Sequence, residues 1–110
     1  MADHHDFLPD VKRYDADADE AAVKGIVKHL GIALQNKNGD AAFVAGSDKS
    51  ELERVRDSWL KKKLARPEHD ADLDQAISSV LATMKDDHRK QRVTVYYLLA
   101  KRFGVLKSLH

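Results

Sequence analysis

The chain has 110 residues, 43% hydrophobic and 34% charged, with a formal net charge of +1. That length favours one domain able to bury roughly two-thirds of its unfolded surface, and the composition lies well away from the disordered class. The lack of cysteine excludes disulfides, thiolate nucleophiles and thiolate metal sites.

The opening stretch, MADHHDFLPD, is acidic where a secretion signal needs a basic and then an apolar region. The longest apolar run, VYYLLA, is far shorter than the roughly 20 residues of a membrane span. A cytoplasmic protein with no membrane role is expected. Residues 1–6 read as a flexible tail and residues 7–110 as a single helical domain.

Phe7, Leu8, Val11 and Tyr14 fit a short helix, with Pro9 in its first turn. Ala22, Val23, Ile26, Val27 and Leu30 form a stripe at 3.6-residue spacing, which predicts a helix over about 19–30. Asp17 or Asp19 can cap it and Gly31 can end it. Gly25 lies inside it, where a bare backbone lets another element approach closely. Asn38-Gly39 signals a turn, and the following DAAFVA suggests one or two helical turns carrying Phe43 and Val44.

In SDKSELE, Asp48 and Glu51 are spaced as a capping box. From there Leu52, Val55, Trp59 and Leu60 line one helix face to about Leu64, and Pro67 closes the region. Leu73, Ala76, Ile77, Val80, Leu81 and Met84 give a fourth helix from Asp72. In RKQRVTVYYLLAKRF, Val93, Tyr96, Tyr97, Leu99, Ala100 and Phe103 share a broad apolar sector, while Lys90, Thr94, Lys101 and Arg102 fill the remainder. Such a helix belongs at the centre of a bundle. The fold expected is all-α, a compact bundle of four main helices plus one or two short ones. Its core is to be built on Ile26, Leu30, Leu52, Trp59, Ile77, Val80, Met84, Tyr96 and Phe103.

Ser47-Asp48 leading into Glu51-Leu52-Glu53, the Lys62-Lys63-Leu64 helix end, and Tyr96-Tyr97-Leu98-Leu99 together resemble a small bacterial family of uncharacterised single-domain proteins, over about residues 7–103. The resemblance implies a cytosolic, mostly helical protein and brings no activity with it.

The charges run in blocks. Residues 1–20 hold 7 acids against 2 bases and residues 67–84 hold 4 acids and no Lys or Arg, whereas residues 49–66 and 85–110 hold 7 bases each. Lys61, Lys62 and Lys63 with Arg89, Lys90 and Arg92 are therefore a candidate patch for phosphate or an acidic partner. Lysines at a helix C-terminus are also favoured by the helix dipole.

The runs from Asp15 to Asp19 and from Asp70 to Asp74 lack the Gly and Glu of a calcium loop and serve better as helix caps. The six histidines show no metal-site spacing, His4 and His5 being adjacent in the tail and His29, His69 and His88 far apart. No catalytic motif occurs, and no cofactor, metal or enzymatic activity is expected. The function favoured is a non-enzymatic protein-interaction or self-association module, with Phe43, Val105, Leu106 and Leu109 as contacts. The alternative is a weak nucleic-acid binder using the basic helix ends.

Overall fold

The structure, a computed structural model, describes residues 3–34 and 40–110. Asp3 opens a 3-10 turn at His4–Asp6. Its carboxylate accepts from the His5 amide at 2.9 Å, while the Asp6 carboxylate accepts from the Asp3 amide at 3.1 Å. This reciprocal capping satisfies the turn's own amides, so the described part of the expected tail forms a 3-10 turn. Met1 and Ala2 lie outside the described residues. Helix α1, Leu8–Lys12, follows with Pro9 in its first turn, where a missing N–H has no intrahelical partner to lose. Phe7 and Val11 beside it are buried.

Helix α2, Glu20–Leu30, begins where the Asp19 carboxylate accepts from the Ala22 amide at 3.2 Å and ends at Gly31, whose φ of +46° suits glycine. The close approach expected at Gly25 is made by the C-terminal 3-10 turn, Leu106–Leu109. A Cβ at position 25 would overlap the Leu109 carbonyl oxygen. The Asn38-Gly39 turn lies outside the described residues.

Asp40–Ala42 is a 3-10 turn, but Phe43–Val44 is a short strand, β1, rather than a continued helix. Helix α3, Lys49–Arg54, then starts at Asp48, whose carboxylate accepts from the Ser50 amide at 3.0 Å. It runs directly into a π-helix, Val55–Lys63, in which a wider turn replaces the α turn. The Leu64 amide closes the last such turn on the Trp59 carbonyl at 2.8 Å. Adjacent Trp59 and Leu60 are both buried there together with Val55. The chain leaves through Ala65 at a φ of +53°, the left-handed conformation that ends many helices and that glycine usually supplies.

Helix α4 is Asp70–Thr83, two residues longer at its start than the apolar stripe marks, because His69 takes the cap position. Strand β2, Lys90–Gln91, pairs antiparallel with β1, Phe43 opposite Gln91 and Val44 opposite Lys90. This pairing joins segments nearly half the chain apart, a non-local choice that no local periodicity records.

The last helix, α5, is Arg92–Arg102, and 8 of its 11 residues are buried. It packs against α1, α2 and α4 and against both flanking strands, the central position expected of it. Tyr96 and Tyr97 are 4% and 0% exposed, so the rings face inward. Leu30, Leu52 and Phe103, expected in the core, are half-buried at its edge. Thr94, expected on the polar strip, is wholly buried, its hydroxyl donating to the Asp10 carboxylate at 2.5 Å. A threonine can enter the core when one acceptor meets its single donor.

The fold is thus mostly all-α, with one two-residue pairing as its sheet. Among the described residues no helix is long and apolar enough to cross a membrane.

The charge blocks meet. Lys61 pairs with Asp70 at 2.9 Å, and Arg56 reaches Asp57 at 2.9 Å and Asp74 at 3.3 Å. The acidic start of α4 therefore lies along the basic π-helix. On the other side the N-terminal acids meet the C-terminal third of the chain. The Tyr97 hydroxyl donates to Asp15 at 2.7 Å, and Lys101 lies 3.2 Å from the same carboxylate. Arg13 reaches Asp87 at 2.8 Å, and the Tyr14 hydroxyl donates to Asp87 at 2.5 Å.

These contacts set a pH dependence. The Tyr97 hydroxyl and Lys101 hold Asp15 below its ordinary pKa, and Arg13 with the Tyr14 hydroxyl does the same for Asp87. A carboxylate lowered in the folded state adds stability above its unfolded pKa of about 4 and loses it as pH falls through the folded value. Tyr14 and Tyr97 are pushed the other way, to about 12, chiefly by desolvation and then by their carboxylate partners. Their contribution is complete below pH ~10 and disappears as pH rises toward 12. Urea unfolding across the pH range should give a plateau that falls below pH ~4 and above pH ~10. Asp87→Asn should flatten the acid limb, and an unchanged acid limb would show that this pair carries none of it.

Candidate functional site

The cleft with the most varied chemistry lies where α2, the π-helix and α5 converge. It has a volume of about 210 Å³ and is lined by His29, Leu30, Ala41, Arg54, Ser58, Trp59, Arg92 and Tyr96. Trp59 and Tyr96 stack with centroids 4.5 Å apart and planes 20° apart. The Trp59 indole N–H donates to the Tyr96 carbonyl at 3.1 Å. Stacking and a hydrogen bond together fix both rings. His29 sits tilted against Trp59, at 5.4 Å between centroids. His29 is exposed, but partial desolvation of the ring, and then the charge of Lys63, lower its pKa and favour the neutral form.

Behind this wall Arg92 and Glu51 form a buried ion pair, 6% and 8% exposed. Three further bonds hold the guanidinium: Nε donates to the Ala41 carbonyl at 2.8 Å, Nη2 to the Phe43 carbonyl at 3.2 Å, and Nη1 to the Tyr96 hydroxyl at 3.1 Å. Arg92 therefore fastens α5 to the segment leading into β1 and to α3 at once. Burial, the dominant cause, raises the Tyr96 pKa and keeps the hydroxyl protonated. The other oxygen of Glu51 accepts from Arg54 at 3.4 Å. Arg54 stands exposed at the mouth of the cleft, where one carboxylate faces two guanidiniums. The local balance is cationic.

This geometry corrects two expectations. Glu51 does not close a capping box. Asp48 caps α3 as expected, but the Glu51 side chain turns inward, because a buried arginine offers a stronger partner than a solvated amide. Arg92 is likewise withdrawn from the basic patch into the core.

Of the other five patch residues, three stand together at the end of the π-helix and two at the start of β2 or just before it. Lys61 is paired with Asp70, and Lys62 and Lys63 are exposed at the end of the π-helix. The Arg89 guanidinium lies 3.9 Å from the Phe43 ring centroid. The Lys90 ammonium donates to the Asp87 carbonyl at 3.0 Å. Of the apolar residues expected as contacts, Leu109 is buried against Gly25, and Phe43, Val105 and Leu106 are half-buried against the core.

Arg54 and Ser58 are cleft residues that the sequence did not single out. They fall on the polar side of an amphipathic helix, and only the packing of α2 and α5 turns part of that side into a wall.

A search of curated proteins finds no match to the chain. The sequence profile of the family described as "Protein of unknown function (DUF2853)" matches residues 6–107. Matched over nearly its whole length, the chain belongs to that family.

Proposed function

We propose that the protein acts by binding and not by catalysis, and that the cleft at Trp59 receives an acidic side chain of a protein partner. The observation that carries this reading is the combination of size and lining. About 210 Å³ is small beside the roughly 300–1,000 Å³ of pockets that enclose cofactors and drug-sized ligands. It is enough for one anchoring side chain.

A stacked aromatic wall with an exposed arginine at its mouth is the kind of pocket that interface anchors use. Arg54 supplies a planar fork for a carboxylate, held in place by Glu51. Ser58 and His29 line the same cleft without a hydrogen bond to each other, which speaks against a nucleophile and its base. The nucleic-acid alternative loses weight because Arg92 is buried and Lys61 is neutralised by Asp70.

Trp59 is the only tryptophan, so its fluorescence reports on the cleft. Titration with a tri-glutamate peptide should change the emission in a saturable way, and Arg54→Ala should weaken binding by roughly 10-fold, the loss of one charge-assisted contact. Unchanged emission at millimolar peptide, or equal binding by Arg54→Ala, would overturn the proposal. Binding of duplex DNA that is lost in Lys62→Glu and kept in Arg54→Ala would favour the nucleic-acid reading instead.

A further inference from the structure

The N-terminal turn places two histidines in a position that chain spacing conceals. The His4 and His5 rings lie 4.0 Å apart with planes 35° apart. Their Nδ1 atoms both face Asp3 Oδ1, at 3.2 and 2.9 Å. Their Nε2 atoms both face Glu20 Oε1, at 3.2 and 3.1 Å. Glu20 is sixteen residues further on, as the first residue of α2.

All four ring nitrogens therefore look at carboxylate oxygens. A neutral imidazole has one N–H donor and one lone pair. With both rings neutral, two of the four contacts oppose a lone pair to an anionic oxygen. A cation between the Nε2 atoms and Glu20 turns the two Nε2 contacts into bonds, while His5 Nδ1–H donates to Asp3 at 2.9 Å and His4 Nδ1 lies 3.2 Å from the same oxygen.

Two of the three ligand separations suit such an ion. Zinc bonds of about 2.0–2.1 Å in a tetrahedron separate neighbouring ligand atoms by ~3.3 Å, and the two Nε2 to Oε1 separations are 3.2 and 3.1 Å. A carboxylate on the far nitrogen of each ligating histidine fixes the ring and its tautomer. Asp3 is itself held by the reciprocal caps of the turn. The side chains of His5 and Glu20 are 65% and 54% exposed, leaving room for water as a fourth ligand.

We propose that His4 Nε2, His5 Nε2 and Glu20 bind a divalent transition ion of the zinc class, with Asp3 orienting both imidazoles. The ion would tether the N-terminal turn to the start of α2. The site is independent of the Trp59 cleft, and its donor set includes a residue from a different element. For that reason it is invisible in the HH dipeptide alone.

Calorimetric titration of the full chain with Zn²⁺ should show one ion bound per chain. Glu20→Gln and Asp3→Asn should each weaken binding by at least about 10-fold, as loss of ligating or orienting carboxylates does. Zn²⁺ should also raise the melting temperature of the wild type and leave that of Glu20→Gln unchanged, with circular dichroism confirming that the variant is folded. No binding at millimolar Zn²⁺ would overturn the assignment. So would a Glu20→Gln affinity equal to the wild type, which would reduce the site to an adjacent histidine pair in solution.

Discussion

Replacing Glu51 by alanine is expected to cost about 3–5 kcal/mol, because it leaves the Arg92 guanidinium buried without its counter-ion. Arg92 is 6% exposed, and its remaining partners, the Ala41 and Phe43 carbonyls and the Tyr96 hydroxyl, are neutral. For a domain whose whole stability is of order 5–15 kcal/mol, a loss of this size removes much of the folded population at elevated temperature. Urea or guanidinium unfolding measures it directly. The paired replacement Glu51→Leu with Arg92→Met should recover most of the loss, since removing both charges removes the desolvation cost as well. A Glu51→Ala variant within about 1 kcal/mol of the wild type would place the pair in a well-solvated setting, where ion pairs are worth that little.

The second large effect is expected at Trp59, whose truncation to alanine should cost about 3–5 kcal/mol. The ring is wholly buried, stacks on Tyr96 and sends its N–H to the Tyr96 carbonyl. Alanine removes the stack and opens a cavity beside His29. Because that cavity keeps Tyr96 and Leu30 on its wall, added indole should occupy it and raise the melting temperature of the variant while leaving the wild type unaffected. Trp59→Phe keeps most of the volume and loses the hydrogen bond, so its cost should be nearer 1 kcal/mol plus a small packing defect. The effects of Glu51→Ala and Trp59→Ala should not add, since Tyr96 touches both Trp59 and Arg92. A double variant whose loss equals the sum would show that Tyr96 does not link them.

The closing helix shows how far local pattern reaches. Its apolar sector announces a buried central helix, and Tyr96, Tyr97 and Leu99 lie inside as that sector requires. The cap at Asp19, the stop at Gly31 and the tolerance of Pro9 in the first turn of α1 are likewise consequences of neighbours within a few residues. Helix caps and stripes are short-range physics, so they can be read in one dimension.

The β1–β2 pairing, the inward turn of Glu51 and the convergence of Glu20 on His4 and His5 depend on partners 16 to about 50 residues away. A glutamate three residues after a capping aspartate looks the same in sequence whether it bonds a backbone amide or a distant arginine. Packing decides which, because a buried guanidinium must find a counter-charge and a solvated amide need not. By itself the sequence determined the helices, the central axis and the family. Only the tertiary structure decided which charges are spent inside the fold, since the electrostatic cost of burial falls on pairs that the chain brings together from far apart.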